Sequence, residues 1–155
     1  MKELHLPYAV DKTNASIEFT RNRVRRRLLP MLARDFNPGI GRSLSNLRQI
    51  CGEAQDYLER EGSRAYARAA RRRSNGRLSL EPGQLGRLHP AILRQVILKA
   101  LETLQGDLKQ LDHEHIAGIL DLLRSPQPRM ETHLPGGLRI TKRPGALEFS
   151  SQVSP

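Results

Sequence analysis

Residues 40–73, IGRSLSNLRQICGEAQDYLEREGSRAYARAARRR, decide the fold that the sequence predicts. Apolar residues recur here at steps of four, three, four, three and four positions, the spacing of a coiled-coil-like seam along one side of a helix. They are Ile40, Leu44, Leu47, Cys51, Ala54 and Leu58, continued by Ala65 and Ala69. The pattern predicts a helix of roughly 50 Å that runs to about Arg73. Its seam position makes Cys51 a small core residue rather than a nucleophile.

Further helices and strands are predicted on both sides of this seam helix. Asn37 and Pro38 supply its cap and first position. Later in the chain, His89-Pro90 opens a second core helix, and Asp112 caps a third. Residues 131–134, 138–141 and 146–150 have the composition of short strands, with Pro135-Gly136-Gly137 and Arg143-Pro144-Gly145 as the turns between them. The predicted fold class is mainly α, a helical bundle around one long helix with a small C-terminal β-meander.

A second stretch, Thr20-Arg21-Asn22-Arg23-Val24-Arg25-Arg26-Arg27-Leu28-Leu29-Pro30, predicts a cationic amphipathic helix from about residue 15 to residue 35. Val24, Leu28 and Met31 fall on its apolar side, and Arg21 and Arg25 border that side one turn apart. Pro30 should kink or restart the helix, because proline lacks an N–H and clashes with the preceding turn. So many guanidinium groups repel one another unless a negative group lies nearby.

The charge of the chain is strongly positive and uneven. It carries 26 basic and 16 acidic residues, a net charge of +10. Residues 1–73 hold 16 basic and 8 acidic residues, whereas residues 74–155 hold 10 and 8, so the first half is the predicted nucleic-acid side. Five arginines lie opposite the seam or on its flank and are candidate phosphate contacts: Arg42, Arg60, Arg64, Arg68 and Arg71. The alternative is a solvated face, since neighbouring glutamates can pair with some of these arginines.

Several classes of protein do not fit the composition. A single cysteine argues against a disulfide framework. No apolar run approaches the roughly 20 residues of a membrane span. Aromatic residues make up only 4% of the chain, which disfavours single-strand binding by base stacking. We predict no metal site, because His113 and His115 are two residues apart on a helix and point to different faces.

Four short motifs occur in a fixed order: Asp11-Lys12-Thr13-Asn14, Arg21-Asn22-Arg23-Val24-Arg25, Leu28-Leu29-Pro30 and Asn37-Pro38. In order and spacing they resemble the tRNA(Ile)-lysidine synthetase family. That family often has a histidine and an acidic residue where this chain has Arg26 and Arg27. Its ATP-binding loop, Ser-Gly-Gly-x-Asp-Ser, does not occur in these 155 residues, although such loops supply the N–H groups that hold phosphate.

The resemblance implies that the chain is the C-terminal part of a longer cytoplasmic ligase. The parent enzyme would use ATP and Mg²⁺ to adenylate the wobble cytidine of tRNA(Ile), then attach free lysine through a carbon–nitrogen bond. The expected domains are 1–36, the end of the catalytic domain; 37–125, a helical bundle; and 126–155, the meander and tail. This segment alone would be inactive and would need no cofactor.

The resemblance also assigns roles to residues and partners. Arg21, Asn22 and Arg25 would position substrate or clamp the helix to the catalytic domain, and Asp11, Thr13 and Asn14 would shape the preceding turn. The tRNA-binding candidates are the five arginines of the seam helix. The expected partners are tRNA(Ile), lysine and the N-terminal ATP-binding domain of the same polypeptide. An exposed docking face would also allow a homodimer.

Two other functions remain open from the residues. One is a non-enzymatic, arginine-rich helical module that binds nucleic acid. The other is a helical interaction domain that uses the seam to bind a protein partner. Lys142 and Arg143, at the predicted hairpin tip, either touch RNA or form an ordinary charged turn.

Overall fold

The computed structural model describes residues 19–72 and 77–151. The chain divides into two compact units, Met1–Gly52 and Glu53–Pro155, each described by itself below. The motif residues Asp11, Thr13 and Asn14 lie outside the described residues.

The first unit contains the arginine helix, which is not regular. Its α-helical parts are α1 (Thr20–Arg23) and α2 (Leu29–Asp35), and a π-helical segment, Val24–Leu28, joins them. The N–H of Leu29 donates to the carbonyl of Val24, five residues earlier. The wider turn falls directly before Pro30, whose ring would clash with the preceding turn of a regular α-helix and which has no N–H to donate. The chain therefore accommodates this proline with a π-helical turn.

The long helix α3 (Ile40–Ala69) follows a short turn. The Asn37 side chain accepts a hydrogen bond from the N–H of Gly39 at 2.8 Å, and the Asn37 carbonyl accepts from Ile40 at 3.0 Å. Asn37 therefore stabilises the turn before the helix, although the helix begins later than its predicted start at Pro38.

The predicted seam of α3 is only partly a core. Ala65 and Ala69 are buried, whereas Leu44 and Leu47 are 44% and 56% exposed. The prediction that Cys51 is a core residue is wrong, because this cysteine is exposed. A heptad spacing shows that a helix can bury one stripe, but a partner surface must be present to bury it.

The long helix ends earlier than predicted because a strand replaces its last residues. Residues 70–72 form β1 (Ala70–Arg72), which pairs antiparallel with β2 (Leu78–Leu80). Helix propensity predicts a continuation to Arg73, but pairing with β2 overrides it. Neither strand is indicated by the local sequence pattern.

The predicted C-terminal meander is present and belongs to a larger sheet. Its strands are β3 (Met130–Leu134), β4 (Leu138–Arg143) and β5 (Ala146–Ser151), each within two residues of its predicted bounds. All neighbours pair antiparallel, and the strand order is β1-β2-β5-β4-β3. The fold class, mainly α with one long helix and a small C-terminal sheet, is confirmed.

Three more helices complete the second unit: α4 (Pro82–Leu85), α5 (Pro90–Gln105) and α6 (His113–Arg124). The predicted N-terminus of α5 is confirmed, since the His89 side chain accepts from the N–H of Ala91. Asp112 caps α6 as predicted, in a reciprocal capping box with His115. The helices and the sheet enclose one core, whose fully buried larger side chains include Leu78, Leu80, Val96, Ile97, Leu101, Ile119, Ile140, Leu147 and Phe149.

Gly62 allows α3 to approach α5 closely. A Cβ atom at Gly62 would overlap the Cβ atom of Gln95, closer than non-bonded carbon atoms approach one another. One turn further along α3, the Tyr66 hydroxyl bonds the Thr103 hydroxyl at 3.2 Å. Glycine usually weakens a helix, but at this position it permits the packing of two helices.

We predict opposite effects for alanine at two glycines of α3. Gly62→Ala should destabilise the second unit by about 1–3 kcal/mol, because the new methyl group overlaps Gln95. Gly52→Ala should stabilise the helix by up to about 1 kcal/mol, because nothing lies within 4 Å of its added Cβ. Urea unfolding followed by circular dichroism measures both changes; equal effects at the two positions would contradict the close packing at Gly62.

Candidate nucleic-acid interface

The motif residues of the arginine helix have three different environments. The Arg21 guanidinium lies over the Phe19 ring, 5.6 Å from its centroid. Asn22 is buried, with 7% of its surface exposed. Arg25 is exposed and lies in the π-helical segment. The structure therefore does not present Arg21, Asn22 and Arg25 as one set of equivalent contacts.

Two neighbouring arginines have partners within the helix. Arg23 donates to the Thr20 hydroxyl at 3.0 Å. Arg34 binds both carboxylate oxygens of Asp35, at 2.6 and 2.9 Å, and this guanidinium holds the pKa of Asp35 below its usual value. By contrast, Arg25 and Arg27 have no hydrogen bond or ion pair to any residue that the structure describes.

The five candidate arginines of the seam helix also separate into groups. Arg60 pairs with Asp56 and Arg64 with Glu61, each at 2.5 Å. Arg71 lies in β1 rather than in the helix, and its guanidinium donates to the carbonyls of Arg68 and Ala70. Within the described ranges, the Arg42 and Arg68 side chains have no ionic or hydrogen-bonding partner. The solvated, ion-paired alternative therefore describes Arg60 and Arg64 well.

Arg48 is a further cation that the sequence analysis did not select. It lies on α3, is exposed, and has no ionic or hydrogen-bonding partner among residues 19–72 and 77–151. The available signal was local composition: from Phe36 to Gly52 the sequence contains no acidic residue. An arginine without a nearby carboxylate keeps its full charge available to a ligand.

Positive charge is concentrated in the first unit. Residues 19–52 contain eight arginines and a single acid, Asp35, which gives a net charge of +7. Residues 53–155 contain 16 basic and 12 acidic residues, a net charge of +4 over a segment three times as long. The field that attracts an anion is therefore strongest around residues 19–52.

Exposed apolar side chains are concentrated in almost the same part of the chain. Among the described residues, every large exposed hydrophobic side chain lies between positions 19 and 57. They are Phe19, Val24, Leu28, Met31, Phe36, Leu44, Leu47, Ile50 and Tyr57. Exposed large apolar side chains in such number are typical of interaction sites, so this part of the chain combines a strong positive charge with side chains suited to a partner.

Lys142 does not project from the hairpin as a free cation. Its amine donates to three main-chain carbonyls at the end of α6, those of Leu122, Leu123 and Ser125, at 3.2, 3.1 and 2.5 Å. A helix leaves its last carbonyls without internal partners, and a cation there also favours the helix dipole. Arg143, the other hairpin-tip cation, pairs with Glu148 at 3.3 Å.

The described residues meet neither the requirements of a metal site nor those of a membrane-spanning helix. They contain no group of three or more histidine, cysteine, aspartate or glutamate side chains arranged to hold a metal ion. None of the helices within the described ranges is long and apolar enough to cross a membrane. Together, the fold and the charges define an arginine-rich helical protein with a small antiparallel sheet.

The sequence is similar to several proteins named tRNA(Ile)-lysidine synthase. The relative from Solibacter usitatus is 28% identical over 96% of the chain, and the one from Salinispora tropica is 30% identical over 89%. The relative from Dehalococcoides mccartyi is 33% identical over 77% of the chain. No family model matches. The chain is thus similar over most of its length to tRNA(Ile)-lysidine synthases, and the resemblance predicted from its motifs is confirmed.

The similarity covers only part of each relative. The matched segment amounts to 36%, 40% and 25% of the relatives from Solibacter, Salinispora and Dehalococcoides. The chain therefore spans between a quarter and two fifths of the length of these proteins.

We predict that Lys142 stabilises the fold rather than binding RNA. Lys142→Met should lower the free energy of unfolding by about 1–3 kcal/mol, because three carbonyls lose a charged donor. Lys109→Met is the matched control and should change it by less than about 0.5 kcal/mol, since the exposed Lys109 amine has only an ion pair with Asp107 at 3.5 Å. Urea unfolding gives the difference; a stable Lys142→Met variant with weakened tRNA binding would contradict this role.

Proposed function

We propose that this chain is the tRNA-binding segment of a tRNA(Ile)-lysidine synthase and that it orients tRNA(Ile) for a catalytic domain elsewhere in the same polypeptide. The concentration of positive charge at residues 19–52 carries this proposal, because phosphate contacts supply most of the affinity of proteins for nucleic acid. The names and greater lengths of the relatives support the parent activity.

The complete enzyme joins lysine to the wobble cytidine of tRNA(Ile) in two steps. The cytidine is first adenylated by ATP, with loss of pyrophosphate. The amine of free lysine then attacks the activated carbon, a carbon–nitrogen bond forms, and AMP leaves with the electron pair of the broken carbon–oxygen bond. Mg²⁺ would neutralise the ATP phosphates during activation. This segment, which contains no Ser-Gly-Gly-x-Asp-Ser loop, holds tRNA and does not activate ATP.

Within this proposal the motif residues have separate roles. Arg25 contacts substrate, since it is exposed and has no partner among the described residues. Asn22 is a structural residue, since it is buried in a helix whose neighbours are exposed. Arg21 lies against Phe19 and fixes the start of the helix. On α3, Arg42 contacts the tRNA backbone, since it is exposed and has no partner among the described residues.

The exposed apolar surface of the first unit docks the remainder of the polypeptide. Leu47 and Ile50 are 56% and 63% exposed here, so complete burial of each side chain would contribute about 1–2 kcal/mol. The additional length of the relatives supplies a partner of sufficient size. The alternative occupant is a second copy of the chain, which would make a homodimer.

Lysine transfer by the complete gene product tests the proposed activity. Purified protein, ATP, Mg²⁺ and radiolabelled lysine should label a tRNA(Ile) transcript with cytidine at the wobble position. A transcript with uridine at that position should stay unlabelled. Arg25→Gln should lower the rate at least several-fold, because substrate is held less well. Tight tRNA binding without lysine transfer would favour the other candidate function, a non-enzymatic nucleic-acid-binding module.

The docking proposal predicts that one substitution has different effects in two proteins. Leu47→Asp should leave the stability of this 155-residue chain nearly unchanged, because the side chain is already exposed. In the complete protein it should increase proteolysis between the domains and lower the melting temperature, because a charge then enters an apolar interface. Asn46→Asp, at the adjacent exposed position, is the control. Equal behaviour of Leu47→Asp in both proteins would contradict docking of the polypeptide on this surface.

A further inference from the structure

The arginines of the first unit differ from those later in α3 in the acids that surround them. The only carboxylate among residues 19–52 is that of Asp35, and Arg34 occupies both of its oxygens. Four exposed arginines of this unit have no partner among the residues that the structure describes: Arg25, Arg27, Arg42 and Arg48. Among residues 19–52, therefore, no carboxylate neutralises these four guanidinium groups.

The later part of α3 has the opposite balance. Residues 53–69 contain three arginines and four acids, so this half of the helix has a net charge of −1. Arg60 and Arg64 are paired with Asp56 and Glu61. Exposed pairs of this kind contribute at most about 1 kcal/mol, so breaking them is inexpensive. The surrounding carboxylates, however, repel an approaching phosphate whether or not the pairs are intact.

We infer that Arg25, Arg27, Arg42 and Arg48 form the phosphate-binding set of this chain and that Arg60 and Arg64 contribute little to it. The inference rests on the proposed tRNA-binding role and locates it in the first unit. The ligand is the phosphodiester backbone of RNA. Each guanidinium presents a planar fork of donors that matches two phosphate oxygens, and none of the described residues offers a carboxylate that has to be displaced first.

The π-helical segment contributes to this set by its position and composition. Arg25 and Arg27 lie within the five-residue segment Val24–Leu28. The first and last residues of this segment are apolar, so its arginines are its polar side chains. Arg25 and Arg27 are both exposed, and no acid occurs within seven residues on the C-terminal side of Arg27. When one strand of RNA backbone binds to these arginines, several counterions should be released from the RNA phosphates.

Two double variants that remove the same charge test the inference. In the 155-residue chain, Arg27→Gln with Arg48→Gln is compared with Arg60→Gln and Arg64→Gln. All four side chains are exposed, and circular dichroism confirms that each variant keeps its helix content. Fluorescence anisotropy measures binding of a tRNA(Ile) transcript at several salt concentrations, and the slope of log K against log salt counts the phosphate contacts.

The Arg27/Arg48 variant should bind at least tenfold more weakly at low salt, with a slope reduced by about two, since each lost contact contributes about 0.9. The Arg60/Arg64 variant should keep both the affinity and the slope of the unaltered chain. If the Arg60/Arg64 variant loses as much as the Arg27/Arg48 variant, the inference is wrong while tRNA binding stands. If the unaltered chain shows no salt-dependent tRNA binding, the inference fails together with the proposed binding role.

Discussion

Antiparallel pairing of β2 with β5 is the interaction on which the second unit depends. It sets Leu78 opposite Phe149 and Leu80 opposite Leu147, and all four side chains are buried. Through this pair, strands next to the long helix join the C-terminal meander in one sheet. Burying four large apolar side chains together is worth several kcal/mol, which is enough to end α3 at Ala69 although its sequence would support further helical turns.

The same packing separates the long helix into parts with different roles. At Gly62 and Tyr66, α3 contacts α5, and the same part of the helix contributes Ala65 and Ala69 to the core. Before Gly52, the side chains of Leu44, Leu47 and Ile50 are exposed, and the arginines have no acid beside them. Charge, exposure and packing therefore change along the length of this helix. Such a helix is suited to connecting a stable fold with a binding surface.

Much of the fold could be predicted because its signals are local. The three meander strands follow from short apolar alternation and from the glycine turns, and Gly136 and Gly145 indeed have positive φ angles. Asp112 and His89 cap their helices as their residue types predict. The strands β1 and β2 were missed because each is three residues long and pairs with a segment that local patterns do not identify.

The candidate interface was predicted less completely, and the reason is again the range of the interactions. The sequence by itself determined the charge distribution, the helical periods, the turns and the motifs that place the chain with the tRNA(Ile)-lysidine synthases, because these depend on residue type and spacing. Only the tertiary structure decided that Cys51 is exposed, that Gly62 is a packing contact and that Lys142 caps α6. Those outcomes depend on which distant residues become neighbours, and spacing along the chain does not encode that directly.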